Sequence, residues 1–185
     1  MKRRILLYCC LALMLAGCAP PWRVIPKSEV ASGQTYKVDL PAGWMQNEAR
    51  KDVLFISLFG PALQGIEIRE APPAEAFKKI HETVAPGILP SELAELKLAL
   101  IKNELSPQRV VLLENKPALI DGHQGYRLQV KYENSRGLGY EAVVYGFTAR
   151  DQVYMIRYYG TSLYYFPHDL PVFEGLVKSF RLTGG

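Results

Sequence analysis

The residues able to do chemistry are few. Three histidines are present, His81, His123 and His168. No two share the i, i+4 spacing that puts two imidazoles on one helical face for a metal. Asp121-Gly122-His123 reads as a tight turn rather than an acid–base pair. Ser162, His168 and Asp169 have the residue types of nucleophile, base and orienting carboxylate, but groups so close in sequence rarely meet triad geometry. Asp169 is expected instead to cap a helix with Pro171 in its first turn. No glycine-serine elbow, phosphate loop or dinucleotide fingerprint is found. The expectation is no catalytic residues, no metal and no cofactor, hence no enzyme; a hydrolase centred on Ser162, His168 and Asp169 ranks last among the functional readings. The remaining reactive group is Cys18. A cysteine thiolate is a strong nucleophile suited to alkylation, and the small residues Ala16 and Gly17 before it leave room for a processing enzyme.

The segment that delivers Cys18 is specific. Lys2, Arg3 and Arg4 precede an uncharged run from Ile5 to Ala16. A positive start, a short apolar stretch and small residues form a secretory signal peptide. The run is too short to span a bilayer, which takes about 20 apolar residues. Leu15-Ala16-Gly17-Cys18 resembles the lipobox of bacterial lipoproteins. The resemblance implies removal of residues 1–17, diacylglycerol on Cys18 and acylation of the new amino terminus. Several chains anchor firmly, since each buried CH₂ contributes about 0.8 kcal/mol. Ala19, rather than aspartate, implies sorting to the outer membrane, facing the periplasm. Cys9 and Cys10 fall in the removed segment, so no disulfide is expected.

The chain of 185 residues carries a net charge of +4, from 22 Lys and Arg against 18 Asp and Glu. Removing Lys2, Arg3 and Arg4 leaves nearly neutral, mixed charge, which argues against nucleic-acid binding. Residues 19–33, with Pro20, Pro21, Pro26, Ser28, Ser32 and Gly33, read as a tether after the lipidated cysteine, on the order of 20 Å long. Trp22 on it suits either the membrane interface or a ring that is solvent-exposed or packed on the domain. Residues 34–185 are expected to form one domain.

Within it, strands are expected over 34–40, 53–59 and 65–70, with Glu67, Arg69 and Glu70 on the wet side and end of the third. Helical spacing of Phe77, Ile80 and Val84 predicts a helix over 73–84. Ser91 is expected to cap a second helix through Leu105, with Leu93, Leu96 and Leu100 inward and Pro107 closing it. Strands return at 109–114, 119–120, 124–133, 139–150 and 152–160. Tyr126, Leu128, Val130 and Tyr132 alternate with Arg127, Gln129, Lys131 and Glu133, which predicts one buried and one wet face. A last helix is expected over 170–180. Runs of strands and helices without strict alternation give an α+β fold with a mainly antiparallel sheet flanked by helices.

Leu40-Pro41-Ala42-Gly43-Trp44, the long late hairpin and the closing Lys178-Ser179-Phe180 resemble PsbP-like domains and their bacterial DcrB-like relatives. The resemblance implies an α/β/α sandwich and an accessory or binding role attached to larger assemblies.

Eleven tyrosines are present, most of them late in the chain. Tyr154, Tyr158, Tyr159, Tyr164, Tyr165 and Phe166 cluster there. Tyrosine is enriched at binding hot spots, so Tyr158, Tyr159, Tyr164, Tyr165 and Phe166 are the candidate partner-binding residues; rings packed under helices on both faces are the alternative. Three functions stay open: a non-enzymatic envelope lipoprotein docking on a protein partner, a small-ligand or lipid carrier with an apolar pocket, and the hydrolase.

Overall fold

The computed structural model describes residues 21–105 and 109–184. The expected signal peptide, the Cys18 lipidation site and Pro107 lie outside the described residues.

Eight strands form one sheet: β1 (Trp22–Val24), β4 (Met45–Asn47), β5 (Leu54–Ser57), β6 (Gln64–Ala71), β10 (Gln152–Thr161), β9 (Gly139–Ala149), β8 (His123–Glu133) and β7 (Val110–Ile120), in that spatial order. Every neighbouring pair is antiparallel. A second sheet sets β3 (Tyr36–Leu40) between β11 (Arg181–Leu182) and β2 (Glu29–Ser32).

Strand β10 shows why the sheet is covered on both sides. Val153 and Met155 point to a core shared with Phe77, Leu93, Ala94, Leu100 and Ile101. These come from the short helix α1 (Pro73–Ala76), the 3-10 turn Lys78–Ile80, the helix α2 (Pro90–Glu104) and the residues beside them. Tyr154, Ile156 and Tyr158 point the other way, into a core with Tyr36, Val38, Leu40, Phe166, Phe173 and Phe180. That face is closed by the small sheet and the helix α3 (Tyr165–Ser179). The antiparallel α+β sandwich expected from the sequence is the fold observed. On β8, Tyr126, Leu128, Val130 and Tyr132 are buried as their alternation requires.

The Pro41–Gly43 turn has a mechanical role. Gly43 holds φ +82°, a conformation glycine adopts without strain. Its N–H donates to Ile25 O at 2.7 Å, and Ile25 N–H donates to Trp44 O at 2.8 Å. Trp44 and Ile25 are both core. The tether expected up to residue 33 therefore holds strands β1 and β2. Pro21 and Pro26 concealed them, but β1 is an edge strand, where proline next to the pairing residues is tolerated. The Trp22 ring packs edge-on against Phe55, with centroids 5.6 Å apart.

Three helix expectations need correction. The helix over 73–84 is one α-turn and one 3-10 turn. Phe77 leaves helical geometry at φ −125° to reach the core, and His81 stops the segment at φ 60°. Ser91 does not cap α2; the Glu92 carboxylate does, accepting the Leu89 N–H at 2.9 Å. The last helix starts five residues earlier than expected. Its inward stripe of Phe166, Asp169, Phe173, Leu176 and Val177 begins ahead of Pro167 and Pro171, so Asp169 sits inside the helix rather than capping it. The two strand pieces at 109–114 and 119–120 are one strand, β7, with a bulge between Leu112 and Glu114.

The closing Ser179-Phe180 pair ties α3 to the small sheet. Ser179 Oγ accepts the Asp39 N–H at 3.0 Å and donates to Leu176 O at 2.7 Å. Ser179→Ala is expected to lower stability by about 1 kcal/mol, read as a shift of the urea midpoint with unchanged slope.

Candidate functional site

Three connections meet at one end of the large sheet: residues 58–63 between β5 and β6, 134–138 between β8 and β9, and 162–164 between β10 and α3. Hydrogen bonds pin them together. Tyr159 Oη donates to Pro61 O at 2.8 Å and Tyr140 Oη to Ala62 O at 2.6 Å. Thr161 N–H donates to Leu63 O and Ser162 N–H to Gly139 O, each at 3.0 Å. Tyr158 Oη donates to Tyr165 O at 2.5 Å, which fixes the first turn of α3. Gly160 allows that approach, since a Cβ there would lie 2.9 Å from Phe166 N.

On this stiff base stands an apolar patch. Leu163 is 96% exposed, Tyr164 57% and Phe59 49%. The Phe59 and Tyr165 rings lie 5.2 Å apart, and Tyr164 meets Tyr165 edge-on at 5.1 Å. Tyr164 also stacks on His168 at 5.3 Å. Beneath it, Asp169 is only 2% exposed. Its two oxygens are held by His168 Nδ1 at 2.7 Å and by Gln64 Nε2 at 3.2 Å.

The residues expected to bind a partner therefore divide. Tyr158 and Phe166 are core and offer no surface; strand alternation and the early start of α3 carry them inward. Tyr159 is half-buried, with Arg157 over its ring at 5.0 Å. Burial and the nearby Glu67 push its phenol well above the usual range. Tyr164 and the half-buried Tyr165 present rings beside Leu163 and Phe59, which the sequence did not single out. Leu163 carries no periodic signal; its place in a two-sided connection is visible only once β10 and α3 are paired.

The Ser162–His168–Asp169 triad is not assembled. His168 and Asp169 are bonded, but Ser162 Oγ is buried without a hydrogen-bond partner among the described residues. Of the other histidines, His81 is exposed at a turn and His123 stacks on Phe147 at 5.5 Å. Among the described residues no group of three His, Cys, Asp or Glu converges to hold a metal. Nor does any helix among them have the length and apolarity to cross a membrane.

Two other surfaces compete. An open groove of about 720 Å³ runs between the start of α2 and strand β7, lined by Leu89, Pro90, Pro117, Ala118 and Leu119. The β7 edge beside it carries a bulge, Lys116 and Pro117, features that blunt strand addition. A smaller, strongly charged cavity lies between α2 and the sheet. Glu67 and Arg69, expected on a wet strand face, line it; Arg69 is exposed as expected and Glu67 is half-buried. Between the large sheet and α3, where a ligand carrier could keep an apolar pocket, rings stack on one another, Phe147 on Tyr154 at 4.9 Å and Tyr158 on Phe166 at 5.5 Å.

No family model matches the sequence, and no curated protein matches it at a significant level. Solved structures do match in fold. Cyanobacterial PsbP (CyanoP) from Synechocystis superposes with a TM-score of 0.57 at 14% identity, covering 91% of this chain and 99% of that one. A Pseudomonas aeruginosa protein of unknown function, described as a putative regulator, superposes with a TM-score of 0.53 at 15% identity, covering 82% and 94%. At such identities the likeness speaks to architecture alone. The chain has a PsbP-like fold, distant in sequence from the proteins that share it.

Proposed function

We propose that this chain is a non-enzymatic accessory domain, lipid-anchored through Cys18 in the bacterial envelope, that docks on a protein partner through Phe59, Leu163, Tyr164 and Tyr165. The observation that carries the reading is the exposure of Leu163 and Tyr164 on loops that hydrogen bonds hold rigid. Large apolar side chains on a preorganised frame suit a hot spot, because little ordering entropy is lost on binding. Anchoring rests on the lipobox resemblance. Four residues take the chain from Cys18 to Trp22, a reach of at most about 14 Å, so the β1 edge of the sheet would lie close to the headgroups. The outer membrane, facing the periplasm, follows from Ala19.

The test is a double variant, Leu163→Asp with Tyr164→Asp, in the full-length protein purified with its partner. These side chains are exposed, so the thermal midpoint should stay within a few degrees. Co-purification of the partner should fall at least about tenfold, as burying two unpaired carboxylates requires. A folded variant that retains its partner at the wild-type ratio contradicts the proposed surface.

A further inference from the structure

The charged cavity between α2 and the sheet has a volume of about 200 Å³. Lys97 enters it from α2, at a position 7% exposed, on the same stripe as Leu93, Leu100 and Ile101. Among the described residues Lys97 has no carboxylate in ion-pair range. Glu104, two turns on, is engaged by Lys79 at 2.6 Å. Arg157 enters from β10. It reaches Glu67 at 3.4 Å through Nη1, and its buried Nε has no partner.

Glu67 is shared, since its other oxygen takes Arg50 at 3.1 Å. Glu75 is turned to Lys78, which does not line the cavity, at 3.2 Å. Arg69 reaches only the exposed Asp52, at 3.9 Å. The lining thus holds five cationic side chains against three carboxylates, and of these cations the buried Lys97 has no ion-pair partner among the described residues. An oxyanion placed here would meet the Lys97 ammonium and the Arg157 guanidinium, both of which line the cavity, and charge-assisted bonds to such groups are strong.

We propose that this cavity binds a small phosphate-class oxyanion between Lys97 and Arg157. The volume admits free phosphate or the headgroup of a phosphomonoester. A buried ammonium without a counter-ion is disfavoured, and burial, with Arg157 nearby, pushes the Lys97 amine down to about 8. A bound dianion would relieve that. The inference is independent of the docking surface, which lies at a different part of the fold.

The experiment titrates full-length protein in detergent at pH 7 with inorganic phosphate, or with short-chain phosphatidic acid, at constant ionic strength. Backbone amide NMR shifts and the thermal midpoint are the readouts. Saturable shifts at residues lining the cavity, with a raised midpoint, are expected. Lys97→Met, which keeps the volume of a core position, should bind at least about tenfold more weakly. The Leu163→Asp, Tyr164→Asp variant should bind as wild type does. If inorganic phosphate binds, the free ion suffices; if only phosphatidic acid binds, and Lys97→Met abolishes it, the source is a lipid headgroup. Absence of saturable binding by either probe, or equal binding by Lys97→Met, overturns the proposal.

Discussion

Phe180→Ala is expected to remove about 4 kcal/mol of folding free energy, at the upper end for large-to-small core changes. Phe180 is fully buried where three elements converge. Its ring stacks on Tyr36 of β3 at 5.1 Å and meets Phe147 of β9 at 5.9 Å and Tyr154 of β10 at 6.0 Å. The void would sit between the two sheets, whose hydrogen-bonded frames cannot close on it, so relaxation is small. Against a domain stability of about 5–15 kcal/mol, the loss is a large fraction of the whole. Urea unfolding followed by tryptophan fluorescence is the check, because Trp44 lies in the same core. A loss below about 1 kcal/mol would mean that the small sheet packs more loosely than its contacts indicate.

Lys97→Met is expected to do the opposite and raise stability at pH 7 by roughly 2–3 kcal/mol in anion-free buffer. The amine is held down to about 8 in the fold against 10.5 for an ordinary lysine. The groups facing it are Arg157 on β10, Glu67 and Arg69 on β6, and Glu104 on its own helix. Below pH 8 both states hold the proton, and the folded state bears the full penalty of a buried charge. Between about pH 8 and 10.5 the unfolded chain binds the proton and the folded chain does not, so wild-type stability rises with pH through that window. The methionine variant should lack this rise while sharing every other slope. Parallel pH profiles for the two proteins between pH 7 and 10 would show that Lys97 keeps an ordinary affinity for its proton, and that solvent reaches it.

How much of this was legible depended on whether one physical signal acted alone. Strand β8 was legible because the eight residues 126–133 keep a strict two-residue period with no proline or glycine among them. The covered sheet was legible in β10, where Val153, Met155, Tyr154 and Ile156 leave neither face polar. Strand β1 was not, because prolines flank it and its strand character comes from pairing with β4. The start of α3 was hidden in the same way, since Pro167 and Pro171 disguise a stripe that begins at Phe166.

The candidate site was half legible. Aromatic density drew attention to the end of β10 and the start of α3, but density does not say which rings face inward. Tyr158 and Phe166 went to the core, while the most exposed member, Leu163, is not aromatic at all. Lys97 was missed although a signal existed. It falls four residues after Leu93 and three before Leu100, on the inner stripe of α2, where a helix ordinarily places apolar side chains.

The most direct test of the central claim is native mass spectrometry of the full-length protein released gently from its own membranes. The docking account predicts a stoichiometric complex with a second protein, and its disappearance when Leu163 and Tyr164 are both changed to aspartate. A lone protein carrying no partner, or a complex that survives the double change intact, would contradict it.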